Sequence, residues 1–253
     1  MEFSYDERRD IAVPGDFQQT LHFSLHHFHA LSQAAIEDHG FFAVALSGGS
    51  TPKVLYQHLA KSPWKEKIDW ERVRLFWSDE RAVAADDPES NFHMAMEAGL
   101  SRLPIPKEMI FRMQAESEIE ENAKRYEWLL EENTYNNSLD LVMLGMGEDG
   151  HTASLFPRTH GLAAKNRTVV SNYIPEKKTW RMTLTFDAID SAKHSAIYVM
   201  GASKAPMVHF VFTSSFDPIN YPVQRIGTKT HKALWIADRE AASVLLQSSQ
   251  SLL

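Results

Sequence analysis

The stretch LDLVMLGMGEDGHTASLFP, Leu139–Pro157, reads as a buried strand that runs into a tight loop. A short apolar run rich in Leu, Val and Met, bounded by a Gly-rich segment, has the length and punctuation of such a strand. Loops at strand ends are where open α/β sheets keep their chemistry. Gly145, Gly147 and Gly150 let the backbone come close to a ligand, and Asp149 and His151 sit on the same loop. An imidazole, with an unperturbed pKa of about 6.5, suits proton transfer near neutrality. A carboxylate two positions away can orient it or stabilise its charged form, so the pattern is that of a catalytic loop.

Upstream, Phe41–Leu46 (FFAVAL) is long enough for another buried strand and leads into Ser47, Gly48, Gly49, Ser50, Thr51 and Pro52. Thr51 suits a helix N-cap and Pro52 the first helical position, with Leu55 and Leu59 as the buried face. Strand, glycine turn and helix in that order aim free N–H groups and the positive end of the helix dipole at one spot, which is how proteins hold phosphate. A plain tight turn is the other reading, and no Walker Gly-Lys-Ser/Thr follows. Val73–Ser78 (VRLFWS) reads as the next strand, ending in Asp79, Glu80 and Arg81. These charges are either solvated or reach the same crevice, because parallel strands present their carboxyl ends on one side of a sheet.

Phe17 to Asp38 carries Leu21, Leu25, Phe28, Leu31 and Ala35 at helical spacing, and two further helices are expected at Asn91–Leu100 and Ser117–Glu132, with Tyr126, Trp128 and Leu129 in the core. Downstream, Arg181 opens the alternating segment RMTLT, and arginine matches phosphate bidentately. Ser195–Met200 reads as a strand running into Gly201–Pro206, with Pro206 marking a helix start. Lys204, a cation beside the positive end of that helix, is either solvated or shares an anion with it. Val223–Ile226 and Leu234–Ala237 are expected as short strands and Asp238–Leu246 as a helix, completing a βα alternation without internal repeats.

Composition narrows the function classes. The 253 residues, 43% hydrophobic and 23% charged, are enough for one α/β domain or two small ones with a sizeable core. A net charge of -7 gives no overall attraction to nucleic acid or an anionic membrane, so any anionic ligand needs a local basic site. With no cysteine, thiol catalysis, disulfides and cysteine-ligated metals are excluded. The start MEFSYDERRD lacks the apolar core of a signal peptide and no apolar run approaches the ~20 residues of a membrane span, which predicts a soluble, cytoplasmic protein. His22, His26, His27 and His29 cluster on one helix, but no carboxylate or cysteine completes a ligand set, and no metal is expected there. Gly145, Gly147 and Gly150 form a GxGxxG, yet no acidic residue stands about 20 positions further on to bind a ribose, and Glu148 and Asp149 would repel pyrophosphate, so no dinucleotide cofactor is expected.

Taken together, LSGGSTP (Leu46–Pro52), SDER (Ser78–Arg81), SNF (Ser90–Phe92), GMGEDGHTASLFP (Gly145–Pro157), RMTLT (Arg181–Thr185), GASKA (Gly201–Ala205) and LWIADREAA resemble, in order and over nearly the whole chain, the 6-phosphogluconolactonase family. The resemblance implies a Rossmann-like open, mostly parallel sheet with helices on both faces, of the glucosamine-6-phosphate deaminase and ribose-5-phosphate isomerase type, as one domain over residues 1–253. It implies hydrolysis of 6-phosphoglucono-δ-lactone, a small sugar-phosphate substrate, in the pentose phosphate pathway, without cofactor or metal; oligomeric state is left open.

Carried onto this chain, the family's catalytic histidine is His151, supported by Asp149. Arg81 is the candidate for stabilising the tetrahedral oxyanion. Gly48, Gly49, Ser50 and Thr51 would hold the phosphate, with Arg181 and Lys204 closing around it. The deaminase branch of the superfamily resembles GHIAFNEP after the glycines, with a glutamate five residues beyond the histidine; here Phe156 stands there, which favours the lactonase. A sugar-phosphate-binding regulator without turnover is the reading from a different class. The segment SDERAVAADD departs from the usual pattern, with Ala84 where a proline commonly follows the valine, and this touches the placing of Arg81.

Overall fold

The computed structural model describes residues 2–250. Strands β1 (Glu2–Ser4) and β2 (Arg9–Ala12) precede α1 (Phe17–His39), β3 (Phe42–Leu46), α2 (Ser50–Leu59), α3 (Trp64–Lys67), β4 (Val73–Trp77), β5 (Asp79–Arg81), α4 (Asn91–Ala98) and α5 (Ile119–Asn133). The second half gives β6 (Leu141–Leu144), β7 (Val169–Ile174), β8 (Thr179–Leu184), α6 (Phe186–Ser191), β9 (His194–Val199), α7 (Ala205–Thr213), β10 (Ala233–Ala237) and α8 (Ser243–Gln250).

Seven strands form one sheet in the order β1-β2-β10-β9-β6-β3-β4, and β5-β8-β7 form a separate three-stranded sheet. In the large sheet every neighbouring pair is parallel except β1–β2; the small sheet is antiparallel. Every residue of β3 and β6 is buried, so both faces of the sheet are covered there, as their unbroken apolar sequences require. The chain turns one way after β3, through α2 to β4, and the other way after β6, toward β9 and β10. The carboxyl ends of β3 and β6 therefore flank the topological switch point, where open α/β sheets leave a crevice.

The leading helix is defined by its ends: Asp16 and Gln19 form a capping box, and Gly40, at φ 95°, closes it with its N–H on Ile36 O. Leu21, Leu25, Phe28 and Ala35 face the core as the spacing predicts. Several expectations are corrected. Trp128 is 54% exposed, while Tyr126 and Leu130 carry the buried stripe of α5. Val223–Ile226 is not a strand: Pro222, which has no N–H for a ladder, starts a 3-10 turn over Pro222–Arg225. No helix begins at Asp238; its carboxylate accepts from the N–H of Gly201 and Ala241, and α8 starts at Ser243. Thr51 does not cap α2, whose N-cap is Gly49. The strands at the amino terminus and β7 carry too little local pattern to have been read. Among the described residues no helix is long and apolar enough to cross a membrane.

His27 is held neutral on α1: burial, with His194 nearby, pushes its imidazole down to about 4. The unfolded chain takes up that proton near pH 6.5, so the stability tied to the neutral ring is complete above that pH and falls as the pH drops toward about 4. Urea unfolding of wild type and His27→Leu between pH 8 and pH 4 should show the wild type losing roughly 3 kcal/mol more across that window. Parallel pH profiles would refute the assignment.

Candidate active site

A cleft of about 290 Å3 opens at the carboxyl ends of β3 and β6, and Gly48, Gly49, Ser50, Thr51, Arg81, His151, Arg181 and Lys204 all line it. Asp149 stands behind His151. Its Oδ1 lies 2.5 Å from the imidazole Nδ1 and also accepts from the His151 N–H. Burial works to raise the Asp149 carboxyl, but the hydrogen bond and charge of His151 outweigh it and hold the group below the usual carboxylate range. The carboxylate is thus an acceptor, Nδ1 must carry the proton, and a neutral ring keeps its lone pair on Nε2. The Phe156 ring stacks on the imidazole, centroids 4.0 Å apart and planes 15° apart, fixing the ring plane. Gly147 makes room for this arrangement, since a Cβ there would stand 2.0 Å from His151 Nδ1.

Across the cleft, Gly49 takes φ 104°, a conformation open to glycine, and turns the chain sharply from β3 into α2. No side chain caps this helix, so its first N–H groups and dipole face the cleft, with the Ser50 and Thr51 hydroxyls beside them. The buried Tyr56 hydroxyl accepts from Ser47 N at 3.0 Å and donates to Ser47 O at 2.8 Å, which locks the loop onto its own helix. Lys204 ends the 3-10 turn Ala202–Lys204 and donates from Nζ to Met146 O at 3.0 Å, tying α7 to the His151 loop.

Arg81 on β5 and Arg181 on β8 are directly opposed across the small sheet. Burial lowers the Arg181 guanidinium from its ordinary value; Asp79 opposes that and Arg81 adds to it. The Nε of each arginine is buried without a partner. Like charges facing each other across strands are destabilising. Arg81 Nη1 donates to Glu89 O and lies 4.0 Å from Glu89 Oε2, and Asp79, Glu80 and Glu89 act on Arg181. Protein carboxylates therefore answer part of this charge, and an anionic ligand would answer more.

A family model described as glucosamine-6-phosphate isomerases/6-phosphogluconolactonase matches residues 16–235. The chain belongs to this family. It is 41% identical over 217 residues to a 6-phosphogluconolactonase of Chlamydia pneumoniae, covering 85% of this chain and 82% of that one. With a Haemophilus influenzae 6-phosphogluconolactonase the identity is 37% over 202 residues, 80% of this chain and 87% of the relative. The solved 6-phosphogluconolactonase of Thermotoga maritima matches with a TM-score of 0.77 at 28% identity, covering 90% of this chain and 98% of that chain. The Trypanosoma brucei enzyme matches with a TM-score of 0.78 at 26% identity, covering 93% and 98%.

The family motif SDER divides by strand alternation. Asp79 and Arg81 line the cleft, but Glu80 turns away and accepts from Arg81 N, Ser90 Oγ, Asn91 N and Phe92 N at 2.8 to 2.9 Å. Burial raises its carboxyl even against those bonds. Asp79, buried at the cleft wall, accepts from Ser154 Oγ at 2.6 Å and Asn91 Nδ2 at 3.2 Å. Asp79, Asn91 and Ser154 were not assigned roles from sequence; the motif matches SDER, SNF and HTASLFP contain them, but which side each faces is a tertiary fact. Glu80→Ala should lower the unfolding free energy by about 2–4 kcal/mol, because a hydroxyl and three amides lose their buried acceptor, whereas Arg81→Ala should change it by less than about 1 kcal/mol. Equal losses in urea titrations would refute this division.

Proposed function

We propose that the chain hydrolyses 6-phospho-D-glucono-1,5-lactone to 6-phospho-D-gluconate in the oxidative pentose phosphate pathway. The carrying observation is the oriented His151–Asp149 pair facing an uncapped helix start, with Arg181 and Lys204 in the same cleft. In this reading the α2 N-terminus, the Ser50 and Thr51 hydroxyls, Arg181 and Lys204 grip the phosphate and place the lactone carbonyl near His151. Nε2 takes a proton from water as its oxygen bonds to C1. Arg81 balances the oxyanion. The C1–O5 bond then breaks, and the imidazolium returns its proton to the leaving O5. Asp149 keeps the imidazole in the required tautomer and stabilises its charged form. An activated ester asks for a base and a charge stabiliser, and both are at hand.

Phe156 supports the lactonase over the deaminase branch: it stacks on His151 as an apolar ring and stands, by the sequence resemblance, five residues beyond the histidine where that branch has a glutamate. Steady-state rates at neutral pH, measured above spontaneous lactone hydrolysis, test the whole reading. His151→Ala should lower kcat by about 10²–10⁴-fold with KM nearly unchanged, and Lys204→Ala should raise KM by about tenfold or more. A wild-type rate equal to background would sink the lactonase; ammonia release from glucosamine 6-phosphate would then point to the deaminase, and binding without turnover to a regulator.

A further inference from the structure

Lys177 lies in the same cleft and has no part in the chemistry above. It closes the 3-10 turn Pro175–Lys177 that joins β7 to β8, and it is exposed at the mouth. Its Nζ stands 5.6 Å from the centroid of the Phe156 ring, the same ring that stacks on His151 at 4.0 Å. It therefore lines the cleft beside the ring that bears on His151. Among the described residues no carboxylate forms an ion pair with it. Its neighbour Glu176 lines a second cavity with Pro157 and Arg158, on which Phe156 also borders. The ammonium is thus a cation lining the same cleft as the base, without an ion pair among the described residues.

We propose that Lys177 is a further substrate-contacting residue that reads the negative charge appearing at C1. The inference rests on the lactonase reading. Water adds to C1 and gives one proton to His151; the C1–O5 electron pair leaves on O5, which takes that proton back. The new C1 carboxyl, with an ordinary pKa near the usual carboxylate range of about 4, loses its remaining proton to solvent. The lactone enters with its phosphate as the charged group, and the product leaves with a carboxylate in addition. Arg181, Lys204 and the α2 N-terminus answer the phosphate. Lys177 joins Arg81 in answering the charge that the reaction creates at C1, first on the oxyanion and then on the carboxylate, so it favours the transition state and holds the product more firmly than a sugar phosphate lacking a carboxylate.

Calorimetric titration of wild type and Lys177→Met with 6-phosphogluconate and with glucose 6-phosphate separates this role from the phosphate grip, and thermal melting checks that the variant folds. The expected result is a product Kd raised roughly tenfold in Lys177→Met, glucose 6-phosphate within about twofold, Lys177→Arg close to wild type, and a fall in kcat. Equal shifts for both ligands, or an unchanged product Kd, overturn the assignment of Lys177 while leaving the lactonase standing. A wild type that binds neither sugar phosphate overturns the functional reading itself.

Discussion

The site depends on one constraint of chain topology: β3 and β6 are hydrogen-bonded neighbours whose chains leave in opposite directions. Two parallel strands that diverge at their carboxyl ends cannot fill the space beyond them with their own connections. The glycine turn after β3 and the glycine loop after β6 are thereby brought face to face, although about 95 residues separate them in sequence. The uncapped start of α2 stands on one side and the His151–Asp149 pair on the other. Helix-start N–H donors at one wall and an oriented imidazole at the other follow from that juxtaposition before any further residue is considered.

Electrostatics then decides what the cleft can hold. The chain carries a net charge of -7, yet Arg81, Arg181, Lys177 and Lys204 all line this cleft. Asp79 is the buried counter-charge, and its bonds from Ser154 and Asn91 hold it at the wall. The small sheet brings the two arginines together, and their Nε groups lack protein partners. Self-repulsion of this kind would be relieved by an anion, which is what the proposed sugar-phosphate ligand would bring.

Local patterns were the legible part. β3, β4, β6 and β9 were readable because each is a continuous apolar run with Gly-rich or charged punctuation, and His151, Asp149 and the Ser47–Thr51 turn follow directly from those strand ends. All the expected site residues reach one cleft, Asp149 through His151. What sequence could not give were facts set by partners distant in the chain. β7 looks unremarkable until Glu127 of α5 accepts from Thr168 N and Val169 N and starts the strand. Trp128 has the composition of a core residue but lies on the outer face of a helix whose buried stripe is set by Ala123, Tyr126 and Leu130. The sequence leaves Glu80 between solvent and the crevice with its neighbours, and the pleat sends it to neither, burying it at the α4 N-terminus.

Phe156 is where the proposed lactonase reading parts from the deaminase branch that the sequence resemblance raised. The imidazole is constrained on one edge by Asp149 and over one face by this ring, which leaves Nε2 toward the cleft. A glutamate at that position would put a second carboxylate beside Asp149. Desolvation and mutual repulsion would raise the proton affinity of one of the two, supplying an extra acid or base at the price of a less uniform imidazole environment. An apolar ring adds no titrating group, so in the proposed mechanism the proton taken from water would stay on His151 until the ring oxygen could receive it. Hydrolysis of a lactone needs that single shuttle, whereas opening a sugar and moving an amine needs more than one group to exchange protons. In the proposed mechanism the side chain stacked on the histidine thus bears on both the orientation of the ring and the path of the proton.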